Sequence, residues 1–326
     1  ESQGPAANLA LAKAFICNDG KPWQNSTVAD ADNFELKNMA VTRDPRFEAT
    51  FWGAPLQSSA TLLYVCKFID REGVTYSFDN VSAPRPAKYA SMTNTNGFPV
   101  VRLAEVVLNW IEAKQELALS YGGPAVTQSD LDKSINAIRS RPLDEHAIAE
   151  GVKKTAPLML GDIPNDPART SSAEANTLAG IVNDPLLWEI RRERRMEFVF
   201  ENNRILDIRR WGKLELMNGS TNPDLLLGTW CDFNTTQSGN DINFNYLIPG
   251  KQIDQGDAKA LKVMKPDGTV VAYNGSNQAD MEGFYIPQGV QNRDAFTVRN
   301  YLQPICTDVI EMYKDKGYTI TQNPGW

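Results

Sequence analysis

Apolar and polar positions follow a helical period most clearly in Asn183–Leu216, NDPLLWEIRRERRMEFVFENNRILDIRRWGKLEL. Asp184 is placed to cap a helix, and Pro185 suits the first helical position, where its missing N–H is not needed. The run to Glu201 has neither Gly nor Pro after Pro185 and is rich in helix formers. Arg194 and Glu197 are three positions apart, a spacing that predicts contact on one helical face. Asn202-Asn203 predicts a left-handed turn, because Asn tolerates that backbone shape. A second segment, Ile205–Leu216, has Leu206, Ile208 and Trp211 as its apolar residues and stops at Asn218-Gly219. The pattern predicts two helices meeting at a sharp corner. By side-chain chemistry alone this is a solvated, charge-laced helix pair.

A second periodic stretch follows Phe98-Pro99. Leu103, Val106, Trp110, Ala113 and Leu117 form one stripe, and Val101, Ala104, Leu108 and Ile111 another. Glu105, Asn109, Glu112 and Glu116 form the third, polar one. A helix apolar on two of three faces is expected to pack between neighbours. After Gly122-Gly123-Pro124, residues Asp130–Arg139 predict a further helix with Leu131, Ile135 and Ile138 on one side. The two make a helix–loop–helix unit of tetratricopeptide-like size without that repeat's signature residues.

Elsewhere the pattern is shorter. Residues 5–16 predict a short helix, followed by a turn at Asn18–Pro22 and by Trp23 in a polar loop. Glu48–Trp52 and Leu62–Ile69 have strand character, Asp70–Gly73 suits a turn, and Val74–Phe78 alternates like a returning strand. These predict a hairpin over 61–79. Residues 156–180 and those beyond Gly219 are loop-rich, with Lys265–Thr269 as a turn between two short strands. Three parts follow: a loop- and hairpin-rich segment over 1–97, a helical core over 98–217 and a loop-rich segment over 218–326.

The 326 residues suffice for a sizeable core, with an ordinary balance of 42% hydrophobic and 22% charged positions. The net charge of −7 disfavours nucleic acid or an anionic membrane surface as partner. Arg191, Arg192, Arg194 and Arg195 do not reverse this, being interleaved with Glu189, Glu193, Glu197 and Glu201. No apolar run approaches a membrane span. The opening Glu1-Ser2-Gln3-Gly4 has no initiator Met, signal-peptide pattern or cysteine in a lipid-attachment context, so the chain is expected to be a piece of something longer.

Four widely spaced cysteines, Cys17, Cys66, Cys231 and Cys306, could form two bridges in an oxidising compartment, with three possible pairings; buried free thiols are the expectation, since a chain this large needs no staples. The lone histidine, His146, is expected to face solvent. There is no GxSxG, HExxH or phosphate loop, and no local carboxylate pair points to glycoside hydrolysis. Asp241, Asn243 and Asn245 alternate oxygen side chains, but the segment lacks the Gly and distal Glu of a calcium loop. Neither an enzyme nor a cofactor is expected.

The order of residues also carries a resemblance. Arg191, Glu193, Arg194, Glu197, Phe198, Glu201, Arg204, Asp207, Arg209, Arg210, Trp211 and Gly212 are similar to the "ERR-EF-E-R-DIRRWG" helix of the SusD/RagB family of surface nutrient-binding lipoproteins. Four further blocks resemble the family in the same order. These are GPAANLALAKAFICNDGKPW, then Arg43–Phe47 (RDPRF), then the helices at Arg102–Ala113 and Asn136–Arg141, and last the closing YLQPI and QNPGW. Asn202-Asn203 stands where the family usually has Gly, and Pro142-Leu143 where it commonly has Ala-Gly.

The resemblance implies a mainly α fold of tetratricopeptide-like helical pairs with long irregular loops and short β-hairpins. Here it would be the C-terminal portion of a longer protein. It implies an outer-membrane, cell-surface protein, lipid-anchored through an N-terminal Cys not present in this chain. Such a protein lies on a TonB-dependent SusC-like transporter barrel and hands it oligosaccharide. Capture of peptide and a helical scaffold without a small ligand are the alternatives. The motif residues Arg102, Arg191, Arg194, Glu197 and Asp207 are expected to be architectural.

A sugar site needs a flat aromatic platform with polar groups at its rim, and loops place these better than helix interiors. Trp110, Trp188 and Trp211 fall on predicted helices and are expected in the core; Trp326 belongs to the terminal motif. Trp52, before Gly53-Ala54-Pro55, is the leading candidate, with Tyr64 and Tyr76 expected to share its face. Trp230, beside Asp232 and Asn234, comes next, and Trp23 completes the set.

Overall fold

The computed structural model describes residues 6–326 apart from 57–58, 79–82, 91–92, 94, 96, 98, 172–183, 234–260, 275 and 291–292. The described chain is mainly helical, with one small antiparallel sheet. Its first part carries α1 (Leu9–Ala14), α2 (Leu36–Thr42), α3 (Arg46–Thr50) and α4 (Arg71–Phe78). The centre carries α5 (Leu103–Tyr121), α6 (Gln128–Lys133), α7 (Ile135–Arg139), α8 (Glu145–Ala149), α9 (Pro167–Ser171), α10 (Pro185–Glu197) and α11 (Asn203–Arg210). α12 (Thr307–Asp315) lies near the end. Strands β1 (Trp230–Asp232), β2 (Lys262–Met264), β3 (Val270–Ala272) and β4 (Glu282–Tyr285) pair in the order β1-β4-β2-β3, with the expected Lys265–Thr269 turn joining β2 to β3.

α10 forms as its sequence predicts. Asp184 accepts a hydrogen bond from the Leu187 N–H at 2.7 Å, and Pro185 opens the helix. Asn202 takes the left-handed conformation at φ 64°, which turns the chain into α11. One side of α10 gives Met196 to a core built from α1, α2 and α3; another gives Leu186 and Ile190 to a core shared with α5, α6 and α7.

The helix pair is not solvated. Glu189, Arg192, Glu193, Arg194 and Glu197 are all buried. Nor do Arg194 and Glu197 pair with each other. Arg194 binds Asp207 at 2.9 Å, while Glu197 takes Arg46 at 3.1 Å, Arg102 at 2.7 Å and Arg141 at 2.9 Å. Glu193 takes Arg46 at 2.6 Å and Arg139 at 3.0 Å. Arg46 also holds Asp44 at 2.7 Å. A buried carboxylate costs several kcal/mol unless paired and hydrogen-bonded, so a local i,i+3 contact in water loses to cations delivered from distant segments. Burial pushes the Glu197 carboxyl up, but the surrounding arginines outweigh it and hold it below its ordinary value. The same balance, led by Arg46, brings Asp44 down to about 2.

Four other expectations are corrected. The hairpin over 61–79 does not form: Arg71–Phe78 is α4, started by Asp70, whose side chain accepts from the Glu72 N–H at 3.0 Å. Residues 46–50 are helical too, which sets Phe47 and Phe51 on one face against Phe15. The strand pairing that does occur joins Phe51 to Val65. On α5, Ala104, Leu108 and Ile111 are buried, but Leu103 (75% exposed), Val106, Trp110 and Leu117 face outward. Glu112, from the polar stripe, is buried instead, accepting from Trp211 Nε1 and from Arg210, both at 2.5 Å. Two cationic side chains and an indole N–H need that carboxylate, so α5 turns its outer apolar stripe away from α10. The helix expected over Asp130–Arg139 breaks at Ser134, between α6 and α7, though Leu131, Ile135 and Ile138 are all buried.

Trp211 is buried as expected, Trp188 is half-buried and Trp110 is 43% exposed. Leu206 is exposed, whereas Ile208 packs with Trp211. Cys17, Cys66 and Cys231 are buried free thiols; Cys306 is exposed, a correction, because it precedes the surface helix α12.

Two outcomes follow for stability. Glu197→Ala leaves three arginines short of a carboxylate and is expected to cost roughly 3–5 kcal/mol by denaturant unfolding; a loss under 1 kcal/mol contradicts the burial argument. Acid is the second test. The contribution of Asp44 is whole above the unfolded-chain value near 3.9 and is lost as pH falls towards about 2, and Glu197 acts in the same direction. Glu189, raised by burial, works against them. The melting temperature is expected to fall steeply below about pH 4; no change down to pH 2.5 overturns this reading.

Candidate functional site

Trp52 lies just past the end of α3. Its N–H donates to the Tyr64 carbonyl at 3.0 Å, which fixes the backbone that presents the ring. The half-buried indole lines a wide cleft of about 890 Å³. Facing groups come from two separate turns. Asp70 just precedes α4 and Glu72 and Thr75 lie in it; Arg141 and Asp144 come from the segment between α7 and α8, and His146 from the first turn of α8.

Both walls are held from behind. Arg71 is tied to the Glu48 carboxylate and to the Glu48 carbonyl, the latter at 2.9 Å. Tyr89 Oη donates to Asp70 and to Glu72, both at 2.8 Å, and Lys88 reaches Glu72 at 2.6 Å. The Tyr89 hydrogen bond holds the Asp70 carboxyl below its ordinary value, and the Lys88 hydrogen bond does the same for Glu72. Both are therefore ionised acceptors at neutral pH. On the other wall, Arg139 and Arg141 are fixed by Glu193 and Glu197. The cleft thus brings together one flat aromatic ring, hydrogen-bonded carboxylates, a hydroxyl and an imidazole. That combination suits hydroxyl recognition beside C–H stacking.

The structure does not bring the five expected aromatic residues into one site. Tyr64 is half-buried and lies outside the cleft, contributing its carbonyl to Trp52. The Tyr76 ring rests on Tyr89, 5.8 Å between centroids, and so sits behind the acidic wall. Trp230 packs edge-on against Phe284 at 5.0 Å, on the core side of the sheet. Its neighbour Asn234 and the Asp241–Asn245 segment lie outside the described residues. Trp23, edge-on to Phe34 at 5.1 Å, lines a different pocket.

Sequence reasoning missed Asp70, Glu72 and Arg141 as site residues. It read His146 as solvent-facing, which it is, without placing it in a cleft. No local pattern marks them, because two turns some seventy positions apart meet only through the fold.

Among the described residues no group of three or more His, Cys, Asp or Glu side chains is placed to hold a metal ion. No described helix is long and apolar enough to cross a membrane. Comparison with curated proteins and with solved structures returned no match. The SusD family model matches residues 4–326, nearly the whole chain, and the chain belongs to that family.

Proposed function

We propose that this protein captures oligosaccharide at the cell surface in the Trp52 cleft and delivers it to a TonB-dependent SusC-like transporter barrel. Membership of the SusD family supports the uptake role, and the cleft supports the ligand class. The observation that carries the reading is that the half-buried Trp52 lines one wide cleft together with Asp70, Glu72 and His146. A pyranose presents an apolar C–H face to such a ring and its hydroxyls to such a rim. Attachment at the outer membrane through a lipid-bearing cysteine belongs to the same proposal and rests on the family alone. So does a tetratricopeptide-like origin for the paired helices, and so does the division at about residues 97 and 217.

The test is Trp52→Ala in the full-length protein, with calorimetric titration of a panel of neutral hexasaccharides and, in parallel, of short peptides. Loss of the stacking ring is expected to weaken the best glycan by roughly 1–2 kcal/mol, about tenfold, at an unchanged melting temperature. Unaltered glycan affinity removes Trp52 from the site. Binding of peptides and of no glycan replaces the ligand class.

A further inference from the structure

A second pocket, of about 260 Å³, lies on the opposite face of α10 from Glu193 and Glu197. Three tryptophans from three places wall it: Trp23 from the turn after α1, Trp188 from α10 and Trp211 from the end of α11. Lys13, Arg191, Arg192, Arg195, Arg204 and Lys213 also line it, against two carboxylates, Asp166 and Asp224.

Both carboxylates are already committed. Asp166 accepts from Trp188 Nε1 at 2.9 Å and binds Arg192 at 2.7 Å. Asp224 takes Lys13 with both oxygens, at 3.1 and 2.9 Å. Arg192 is further bound by Glu189 at 2.5 Å, from outside the pocket. Among the described residues Arg191 forms an ion pair with Glu116 alone, at 3.6 Å, and its guanidinium lies 4.6 Å from the centre of the Trp211 ring. The Nε atoms of Arg191 and Arg192 are buried and have no hydrogen-bond partner among the described residues. A buried guanidinium N–H left unmade is costly, so an orphan in a native fold calls for an acceptor from water, an ion or a ligand. Burial also lowers the Arg191 pKa, the sign of a cation short of compensating charge.

We propose that this pocket takes one anionic sugar residue, a hexuronate unit, with its carboxylate against the Arg191 side of α10 and its ring against Trp23. The volume is of the size of a single sugar ring. Charge-assisted hydrogen bonds from arginine are the strong and directional ones for a carboxylate. The assignment adds a second sugar site, separate from the Trp52 cleft and selective for charge, and it rests on the preceding reading only for the class of ligand.

The probe is a galacturonate trisaccharide and, as control, the same trisaccharide with its carboxyls methyl-esterified. Both are titrated into the full-length protein at two salt concentrations. The free acid is expected to bind at least tenfold tighter than the ester, with the difference shrinking at high salt. Arg191→Gln is expected to abolish the preference. Trp23→Ala, a change on a surface turn, is expected to weaken both probes without lowering the melting temperature. Trp52→Ala is expected to leave the acid preference intact. Equal affinity for acid and ester overturns the proposal, as does an acid preference that survives Arg191→Gln or an affinity for both probes that Trp23→Ala leaves unchanged. An acetylated acidic tripeptide that binds as tightly as the trisaccharide overturns the sugar assignment. If neutral glycans bind through Trp52 and the acid preference is absent, only this inference fails. If the acid binds through Arg191 while Trp52→Ala changes no glycan, only the earlier reading fails.

Discussion

The carboxylates of Glu193 and Glu197 are taken out of water on one face of α10, and the rest of the structure is arranged around the need to compensate them. The cations come from far along the chain: Arg46 from the start of α3, Arg102 from just before α5, and Arg139 and Arg141 from the end of α7. Such pairs add little net stability over apolar residues of similar size, because desolvation offsets most of the attraction. Their effect is selective. Any packing that withdraws one of these segments leaves a bare charge inside, so alternatives are disfavoured more strongly than the native arrangement is stabilised.

The same segments build the candidate site. Arg141 and the chain leading to His146 form one wall of the Trp52 cleft, and they are anchored by Glu197 and Glu193. The other wall is held to α3 through Arg71 and Glu48. The cleft is therefore rigid at its edges for reasons that lie in the ion network beneath it, not in the residues that face solvent. On the far side of α10, Arg191, Arg192 and Arg195 point the helix's remaining charge into the smaller tryptophan-walled pocket. One helix thus underlies a wide cleft of mixed charge and a smaller, mainly cationic pocket through opposite faces.

Much of the frame was legible in the sequence, and the failures have physical causes. Asp184, Pro185 and Asn202 signal their roles locally, since caps and left-handed turns depend on one or two residues. The hairpin was misread because Val74–Phe78 alternates in a way that also suits a short helix, and Asp70 settles the choice by capping it. On α5 the apolar stripes were visible, but their ranking was not: Glu112 turns inward only because Arg194, Arg210 and Trp211 wait for it across the helix interface. For the site, Trp52 stood out as an aromatic residue before a Gly-Ala-Pro loop. Its polar partners did not, because Asp70 and His146 lie far apart in the chain and line one cleft only through the fold.

The central claim is that the buried carboxylates of α10 and their distant arginines act as coupled units. The most direct measurement is a double-mutant cycle on Arg139 and Glu193, whose side chains are 2% and 0% exposed and meet at 3.0 Å. Unfolding free energies are compared for Arg139→Met, Glu193→Met and the double variant. Each single change is expected to be severe, and the double variant is expected to recover at least about 1.5 kcal/mol relative to their sum. Additive effects, within about 0.5 kcal/mol, would contradict it.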